Sequence, residues 1–250
     1  MALISQTLML LGSVFVLFQP AIPLSDIAQQ AAVEYEAGNY EAARTHYTSL
    51  IESGVQDGVV FTNLGHTYYQ LQDLGAALVN YRRAQIVQPR DAQINSGLAR
   101  IRSLRTDIQG DETALIDNIA AMTVPIATSL ELTWAMSALW CLYFGFVIVM
   151  IIRKQSRDSW RGTFVLLSTI LLFGLLLWGS RVYVDRFRPA AIIIEPTVQV
   201  MSGPGADYLP IYNLHAAAEL RILEQRDAWV RFILPDQRQG WIQEEMIERV

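Results

Sequence analysis

The sequence predicts a multi-domain membrane protein with an α-helical N-terminal part, a two-helix transmembrane hairpin and a small all-β C-terminal part. Hydrophobic residues make up 52% of the 250 residues and charged residues only 17%, against about 25% charged residues in an average soluble domain. Two uncharged runs, 133–152 and 163–180, hold much of the excess. Apolar residues follow a helical period before residue 106, whereas after residue 190 they alternate in short runs.

The first 23 residues predict a signal peptide or an N-terminal anchor. Residues 7–18 (TLMLLGSVFVLF) have the length of a signal-peptide core, and residues 19–25 (QPAIPLS) would break a helix after it. No Lys or Arg precedes Arg44, whereas signal peptides begin with a positive segment. An uncleaved anchor therefore stays open as the alternative.

The two uncharged runs predict transmembrane helices at 133–152 and 163–180. They contain 20 and 18 residues, and at 1.5 Å per residue the first spans about 30 Å, the thickness of the hydrocarbon core. Trp134, Trp160 and Trp178 lie at or near the ends of the runs, where indole rings favour the membrane interface.

The charge of the connecting loop predicts the orientation. Residues 153–162 contain four basic residues and one acidic residue, Asp158, whereas the flank before the first run has only Glu131. Short basic loops stay in the cytoplasm, so both soluble parts are predicted to face away from it. The three arginines of the predicted linker 181–190 oppose this orientation, because they would have to be translocated.

The N-terminal part contains a repeat of 34 residues. The second unit, 58–91, places small and large residues at helical spacing on two helices: Leu64, Gly65 and Tyr68, then Ala77, Tyr81 and Ala84, with Pro89 at its end. This pattern resembles the tetratricopeptide repeat. The first unit, 24–57, matches less fully, since Gln30 and Glu34 replace the usual leucine and tyrosine. The apolar spacing of 92–105 predicts a capping helix.

The resemblance implies a concave face that binds a partner protein. By position in the repeat, that face would carry Tyr35, Thr62, His66, Tyr69, Gln70 and Arg100. Packing is the alternative role for the two tyrosines, and a lone histidine such as His66 is more often a surface or packing residue than a ligand or a base. Two repeats and a cap form a marginal stack, so support from a partner, a second copy or the membrane is expected. Residues 106–132 are predicted to be a linker with a short helix around 112–122, which Pro125 ends.

Residues 191–250 predict a small β barrel. Short strands alternate with turn signals at 202–205, 225–227 and 235–237. The predicted core is Val198, Val200, Leu214, Leu220, Ile222, Trp229, Val230, Phe232, Trp241, Ile242 and Ile247. The order resembles the bacterial Src-homology-3-like barrel of exported proteins, on the basis of Val198-Gln199-Val200, Gly203-Pro204-Gly205, Asp207-Tyr208, Trp229-Val230 and Gly240-Trp241-Ile242. The usual Leu-x-x-Gly turn is altered to Leu214-His215-Ala216-Ala217. Tyr208, Tyr212 and Trp229 are candidate surface contacts, although core packing is favoured for Trp229 and Trp241.

The complete domain order resembles the BatE family of bacterial aerotolerance operons. This resemblance implies a multi-pass protein of the bacterial cytoplasmic (inner) membrane with extracytoplasmic soluble domains. It also implies partner proteins, among them von Willebrand factor type A membrane proteins of the same operon. The marginal repeat stack adds self-association as an alternative. The net charge of −5 leaves no soluble segment basic enough for a nucleic-acid binder.

Three function classes follow from these features. The first is an interaction scaffold, which the resemblance places in an aerotolerance or envelope-stress complex. The second is a module whose barrel binds an envelope ligand such as peptidoglycan or a wall peptide. An enzyme is disfavoured and no cofactor or metal is expected, because the helical part lacks a paired acid or a nucleophile–base spacing. The single cysteine, Cys141, excludes a CxxC redox or zinc motif.

Overall fold

The structure is a computed structural model that describes residues 24–107, 115–153 and 160–250. The predicted signal or anchor segment 1–23 and most of the loop 153–162 lie outside the described residues. Over the described residues the chain forms eight α-helices followed by one antiparallel sheet of seven strands. The predicted combination of a helical part, two apolar helices and an all-β part is therefore confirmed at this coarse level.

The elements follow one another in the order of the predicted parts. The helices are α1 (Leu24–Glu36), α2 (Tyr40–Glu52), α3 (Gly58–Gln70), α4 (Leu74–Val87), α5 (Ala92–Leu104), α6 (Leu115–Thr123), α7 (Ser129–Ile152) and α8 (Arg161–Phe187). The strands are β1 (Ala190–Ile193), β2 (Thr197–Met201), β3 (Pro210–His215), β4 (Glu219–Arg226), β5 (Trp229–Ile233), β6 (Gln239–Gln243) and β7 (Ile247–Arg249). A short 3₁₀ helix, Glu244–Met246, precedes β7.

Aspartates in the turns set the beginnings of helices α3, α4 and α5. The carboxylate of Asp57 accepts hydrogen bonds from the backbone N–H groups of the first turn of α3, and Asp73 and Asp91 do the same for α4 and α5. Each cap satisfies donors that have no partner within the helix and contributes about 1 kcal/mol. The turns therefore fix where the helical pairs begin.

Tyr81 fills the crossing of α3, α4 and α5. A Cβ added at Gly65 of α3 would lie 3.2 Å from the Tyr81 ring, and one added at Gly97 of α5 would overlap it. The ring is buried, with 2% of its residue surface exposed. The predicted pairing of small and aromatic residues is thus present at Gly65 and Tyr81, whereas the role of Gly97 was not foreseen.

Helices α7 and α8 are long and apolar enough to cross a membrane. They pack side by side and share three polar contacts: from the Trp178 indole N–H to the Thr133 hydroxyl at 3.2 Å, between the Tyr143 and Ser168 hydroxyls at 3.2 Å, and from the Ser129 hydroxyl to the Asp185 carboxylate at 3.1 Å. A capping box of Thr128 and Glu131 begins α7.

Both apolar helices extend beyond their predicted bounds. Helix α7 begins at Ser129, inside the predicted linker 106–132. Helix α8 continues to Phe187, so most of the predicted linker 181–190 is helical. The ion pair of Arg181 with Asp185, one turn apart at 2.7 Å, supports this extension, and no helix breaker occurs before Pro189. The helix predicted around 112–122 corresponds to α6, which begins at Leu115 and ends at Thr123. Residues 112–114 lie outside the described part. Helix α6 packs against α8.

The sheet has the strand order β3-β2-β6-β5-β4-β1-β7 and curves around one core, to which every strand contributes. All predicted core residues belong to this cluster except the two tryptophans. Trp241 is buried beneath the guanidinium of Arg226, and Trp229 is half-buried at the start of β5. The altered turn ends at Ala217, which has a left-handed φ of 65° and no exposed surface.

The sheet docks onto α4 and α5. Ile192 of β1 and Ala217 join the buried cluster formed by α3, α4 and α5. Gly75 of α4 approaches the backbone so closely that an added Cβ would lie 2.7 Å from the Ile193 carbonyl oxygen. Asp107 also accepts a bond from the backbone N–H of His215 at 2.6 Å. The two parts therefore share a packed interface.

One carboxylate, Glu219 of β4, holds three arginines at this interface. Arg102 donates two bonds to it, both at 2.8 Å, Arg82 lies at 3.3 Å and Arg105 at 3.5 Å. Burial alone would raise the pKa of Glu219, but the three guanidiniums outweigh burial and lower that pKa to about 2. Glu219 is therefore ionised at any physiological pH.

Candidate functional site

Four of the predicted partner-binding residues lie in two bonded pairs that connect helices α1, α3 and α5. Gln70 of α3 lies 3.5 Å from the Tyr35 hydroxyl of α1. Arg100 of α5 donates through Nε to the Tyr69 hydroxyl of α3 at 3.1 Å, and its guanidinium lies over the Tyr69 ring at 5.0 Å. We refer to Tyr35, Tyr69, Gln70 and Arg100, together with His66, as the polar–aromatic surface.

His66 connects this surface to the interior of the helical part. Its Nδ1 lies 2.7 Å from the Tyr81 hydroxyl and its Nε2 lies 3.1 Å from the Gln93 amide nitrogen. Burial lowers the pKa of His66 and raises the pKa of Tyr81 to about 12. Both groups are therefore neutral at pH 7. Because the amide nitrogen is a donor, Nε2 accepts and Nδ1–H donates to the tyrosine oxygen.

Tyr81 and Gln93 belong to the same network, but the sequence analysis did not select either as a site residue. Tyr81 occupies a position that the repeat pattern assigns to packing, so its hydroxyl contact with His66 adds a second role. Gln93 lies one residue before Ile94, the first buried residue of α5, and has no motif around it. The only feature of the sequence that could have indicated this contact is that His66 and Tyr81 lie 15 residues apart, on the two helices of one repeat unit.

The prediction that Thr62 contacts a partner does not fit its position. Its residue surface is only 6% exposed, and its hydroxyl donates to the Gly58 carbonyl at 2.6 Å, one turn earlier in α3. A threonine hydroxyl on a helix often bonds to the carbonyl four residues before it. Thr62 therefore packs inside the helical part and is not available on the polar–aromatic surface.

The two predicted tyrosines of the sheet have different environments. The Tyr212 hydroxyl donates to the Gln239 carbonyl at 3.2 Å, and the Arg238 guanidinium lies 5.0 Å from the centre of its ring. Burial raises the pKa of Tyr212 to about 12, so its hydroxyl is a structural donor. Tyr208 is half exposed, and the neighbouring Leu209 and Ile211 are 76% and 53% exposed.

Within residues 24–107, 115–153 and 160–250, no group of three or more His, Cys, Asp or Glu side chains could hold a metal ion. What the polar–aromatic surface offers chemically is hydrogen bonding, aromatic stacking and one fixed positive charge at Arg100. No protein-family model matches the chain, and no curated protein matches it.

Proposed function

We propose that this protein is a membrane-anchored interaction scaffold. In this proposal α1–α5 form two tetratricopeptide-like repeats with a capping helix, the sheet is a bacterial Src-homology-3-like barrel, and α7 and α8 cross the membrane as a hairpin. The layout is similar to that of the BatE family, so a place in an aerotolerance or envelope-stress complex is part of the proposal.

The observation that carries the proposal is the polar–aromatic surface. Tyrosine and arginine are enriched at protein interfaces because they combine a large contact area with directional hydrogen bonds. Here Tyr35, Tyr69 and Arg100 lie on three different helices and are held by side-chain bonds. A partner would meet side chains whose conformations are already restricted, which lowers the entropy lost on binding.

The proposed orientation places both soluble parts outside the cytoplasm. Its support is the basic composition of loop 153–162. A compartment reporter inserted near Ser156 is expected to be active only in the cytoplasm, and one fused after Val250 only outside it. The opposite pattern contradicts the orientation while leaving the interaction surface to be tested separately.

Photo-crosslinking in native membranes tests the scaffold function. A photoreactive phenylalanine analogue replaces Tyr69, and in a matched variant it replaces Glu41 of α2, whose side chain is 66% exposed and does not belong to the polar–aromatic surface. We expect discrete protein adducts from position 69 and none from position 41. Von Willebrand factor type A membrane proteins are the proposed partners, to be identified by mass spectrometry. Equal adduct patterns from both positions would refute the assignment of this surface.

A second candidate function is binding of an envelope ligand by the sheet. The exposed group of Tyr208, Leu209 and Ile211 favours it, because clustered apolar and aromatic side chains on a surface mark contact sites. Saturable retention of the full chain on purified cell wall, lost in Tyr208→Ala and kept in Tyr35→Ala, would support this function. Retention that is equal in both variants would contradict it.

A further inference from the structure

A cavity of about 380 Å³ lies where the helical part, α6 and the sheet meet. A second cavity of about 240 Å³ adjoins it, between α4, the beginning of α7 and the C-terminal part of α8. The residues common to the walls of both cavities are Arg82, Gln85, Val124, Ala190, Arg221 and Val250. None of the residues in the polar–aromatic surface lines either cavity.

Positive charge exceeds negative charge around the two cavities. The arginines that line them are Arg82, Arg102, Arg181 and Arg221, and the lining carboxylates are Asp117, Asp185 and Glu219. Four positive side chains therefore face three negative ones. Arg105 and Arg188, which are not among the lining residues, pair with Glu219 and Asp117.

Two of these arginines have N–H groups that bind no carboxylate of the described residues. Arg221 donates to the Arg188 carbonyl at 3.3 Å, and it forms no ion pair with a carboxylate of the described residues. Arg181 is only 9% exposed and binds Asp185 through Nε, whereas its Nη1 is buried without a hydrogen-bond partner in the described part of the chain. A buried donor of this kind favours an acceptor in the adjoining space.

The arginines also repel one another across the cavities. Burial lowers the pKa of Arg82, and although Glu219 opposes this effect, the guanidiniums of Arg102, Arg221 and Arg181 lower that pKa further. An anion placed between them would remove part of this repulsion. The planar, forked donors of arginine match the oxygens of a phosphate group especially well.

The surroundings favour a lipid as the source of the phosphate. Ala121, Val124 and Pro125 form an apolar wall of the larger cavity. The same corner of the chain exposes Met122 and Ile126, each 67% exposed, beside the start of α7. Large exposed apolar side chains next to a membrane span, together with arginines that can bind a head group, are typical of a lipid contact.

We propose that this arginine-lined pair of cavities binds the phosphate group of an anionic ligand, and that the ligand is the head group of an anionic phospholipid. The lipid source rests on the membrane placement of α7 and α8 proposed above, whereas the phosphate chemistry does not. Asp117 is paired with Arg188 through Oδ2 only, its Oδ1 being buried without a hydrogen-bond partner in the described part of the chain, and Asp185 is paired with Arg181. Arg221 and the free Nη1 of Arg181 are the proposed primary contacts.

Thermal denaturation of the full chain in an uncharged detergent tests this proposal. The probes are a short-chain phosphatidylglycerol, the phosphatidylcholine with the same acyl chains, and inorganic phosphate. A ligand that binds only the folded protein raises its midpoint with a saturable dependence on concentration. We expect phosphatidylglycerol to bind at least tenfold more tightly than phosphatidylcholine. A midpoint raised by inorganic phosphate alone would support the phosphate site and overturn the lipid source, independently of the membrane orientation.

Variants assign the effect to the cavities. Arg221→Gln is expected to weaken phosphatidylglycerol binding at least tenfold, whereas Arg226→Gln, which removes an exposed arginine of the same strand, should change it less than twofold. Circular dichroism checks that each variant is folded, and Arg181→Gln replaces Arg221→Gln if the latter does not fold. Equal losses in the cavity variant and the control, or no response of the wild type to any of the three probes, would overturn the proposal.

Discussion

Neutralising Glu219 is expected to destabilise the docking of the sheet onto the helical part by about 3 kcal/mol. Its carboxylate is the shared acceptor for Arg82, Arg102 and Arg105, and its side chain is only 19% exposed. A carboxyl whose pKa falls from 4.5 to about 2 on folding contributes about 3 kcal/mol at neutral pH, since each tenfold change in proton affinity is worth about 1.4 kcal/mol. Breaking a buried ion pair costs about 3–5 kcal/mol, which agrees with this figure.

The assay is urea unfolding of the full chain in an uncharged detergent, followed by tryptophan fluorescence and circular dichroism. Glu219→Gln keeps the size of the side chain and removes its charge. The matched control is Glu224→Gln on the same strand, whose ion pair with Arg226 is partly exposed and is worth less than about 0.5 kcal/mol.

The pH dependence gives an independent check of the same reasoning. The folded-state pKa of Glu219 lies below the unfolded value, so its contribution is fully present above pH 4.5 and is lost as the pH falls from about 4.5 to about 2. Glu219→Gln should therefore lose less stability than the wild type over this range. A variant within about 0.5 kcal/mol of the wild type at pH 7, with the same acid dependence, would refute the role given to Glu219.

Three further changes test the packing and the network. Gly75→Ala places a Cβ 2.7 Å from the Ile193 carbonyl oxygen and should cost about 1–3 kcal/mol through overpacking; Gly179→Ala, which meets nothing within 4 Å, should leave the thermal midpoint unchanged. Tyr81→Phe removes the hydroxyl bonded to His66 and should cost about 1 kcal/mol of unfolding free energy in urea, and no loss would contradict the bond. Because folding lowers the pKa of His66 from its usual value of 6.5, the stability that the neutral ring contributes is present above pH 6.5 and is lost as the pH falls below it. The thermal midpoint of His66→Gln should therefore change less between pH 7 and pH 5 than that of the wild type.

Local pattern was sufficient to predict the buried faces of α4, β4 and β5. The spacing of Ala77, Tyr81 and Ala84 places them on one face of a helix, and α4 carries all three in its buried side. The alternation after residue 190 likewise predicted the buried positions of β4 and β5. In both cases the period depends only on neighbouring residues, so the printed sequence carries the whole signal.

Contacts between distant segments could not be predicted in this way. Arg102 and Glu219 are 117 residues apart, and nothing in either local pattern distinguishes Glu219 from the partly exposed Glu224. The prediction for Thr62 failed for a related reason. Its position in the repeat indicated an outward-facing side chain, whereas the residue is buried and its hydroxyl donates to the Gly58 carbonyl of the same helix. Tyr35, Tyr69 and Arg100 were placed by repeat position, but their mutual bonds depend on how the helices pack.

The docked sheet also provides the support that the sequence analysis expected for a short helical stack. The sequence analysis looked to a partner, a second copy or the membrane, because two repeats and a cap leave an apolar face uncovered. Ile192 and Ala217 lie in the buried cluster of that face, so the chain's own C-terminal part covers it. Ala217 holds a left-handed backbone that a glycine would adopt at no cost, yet its methyl group is fully buried in this cluster. The methyl contact therefore gives a physical reason for alanine at the altered turn, and the face that it covers is not available to the proposed partner.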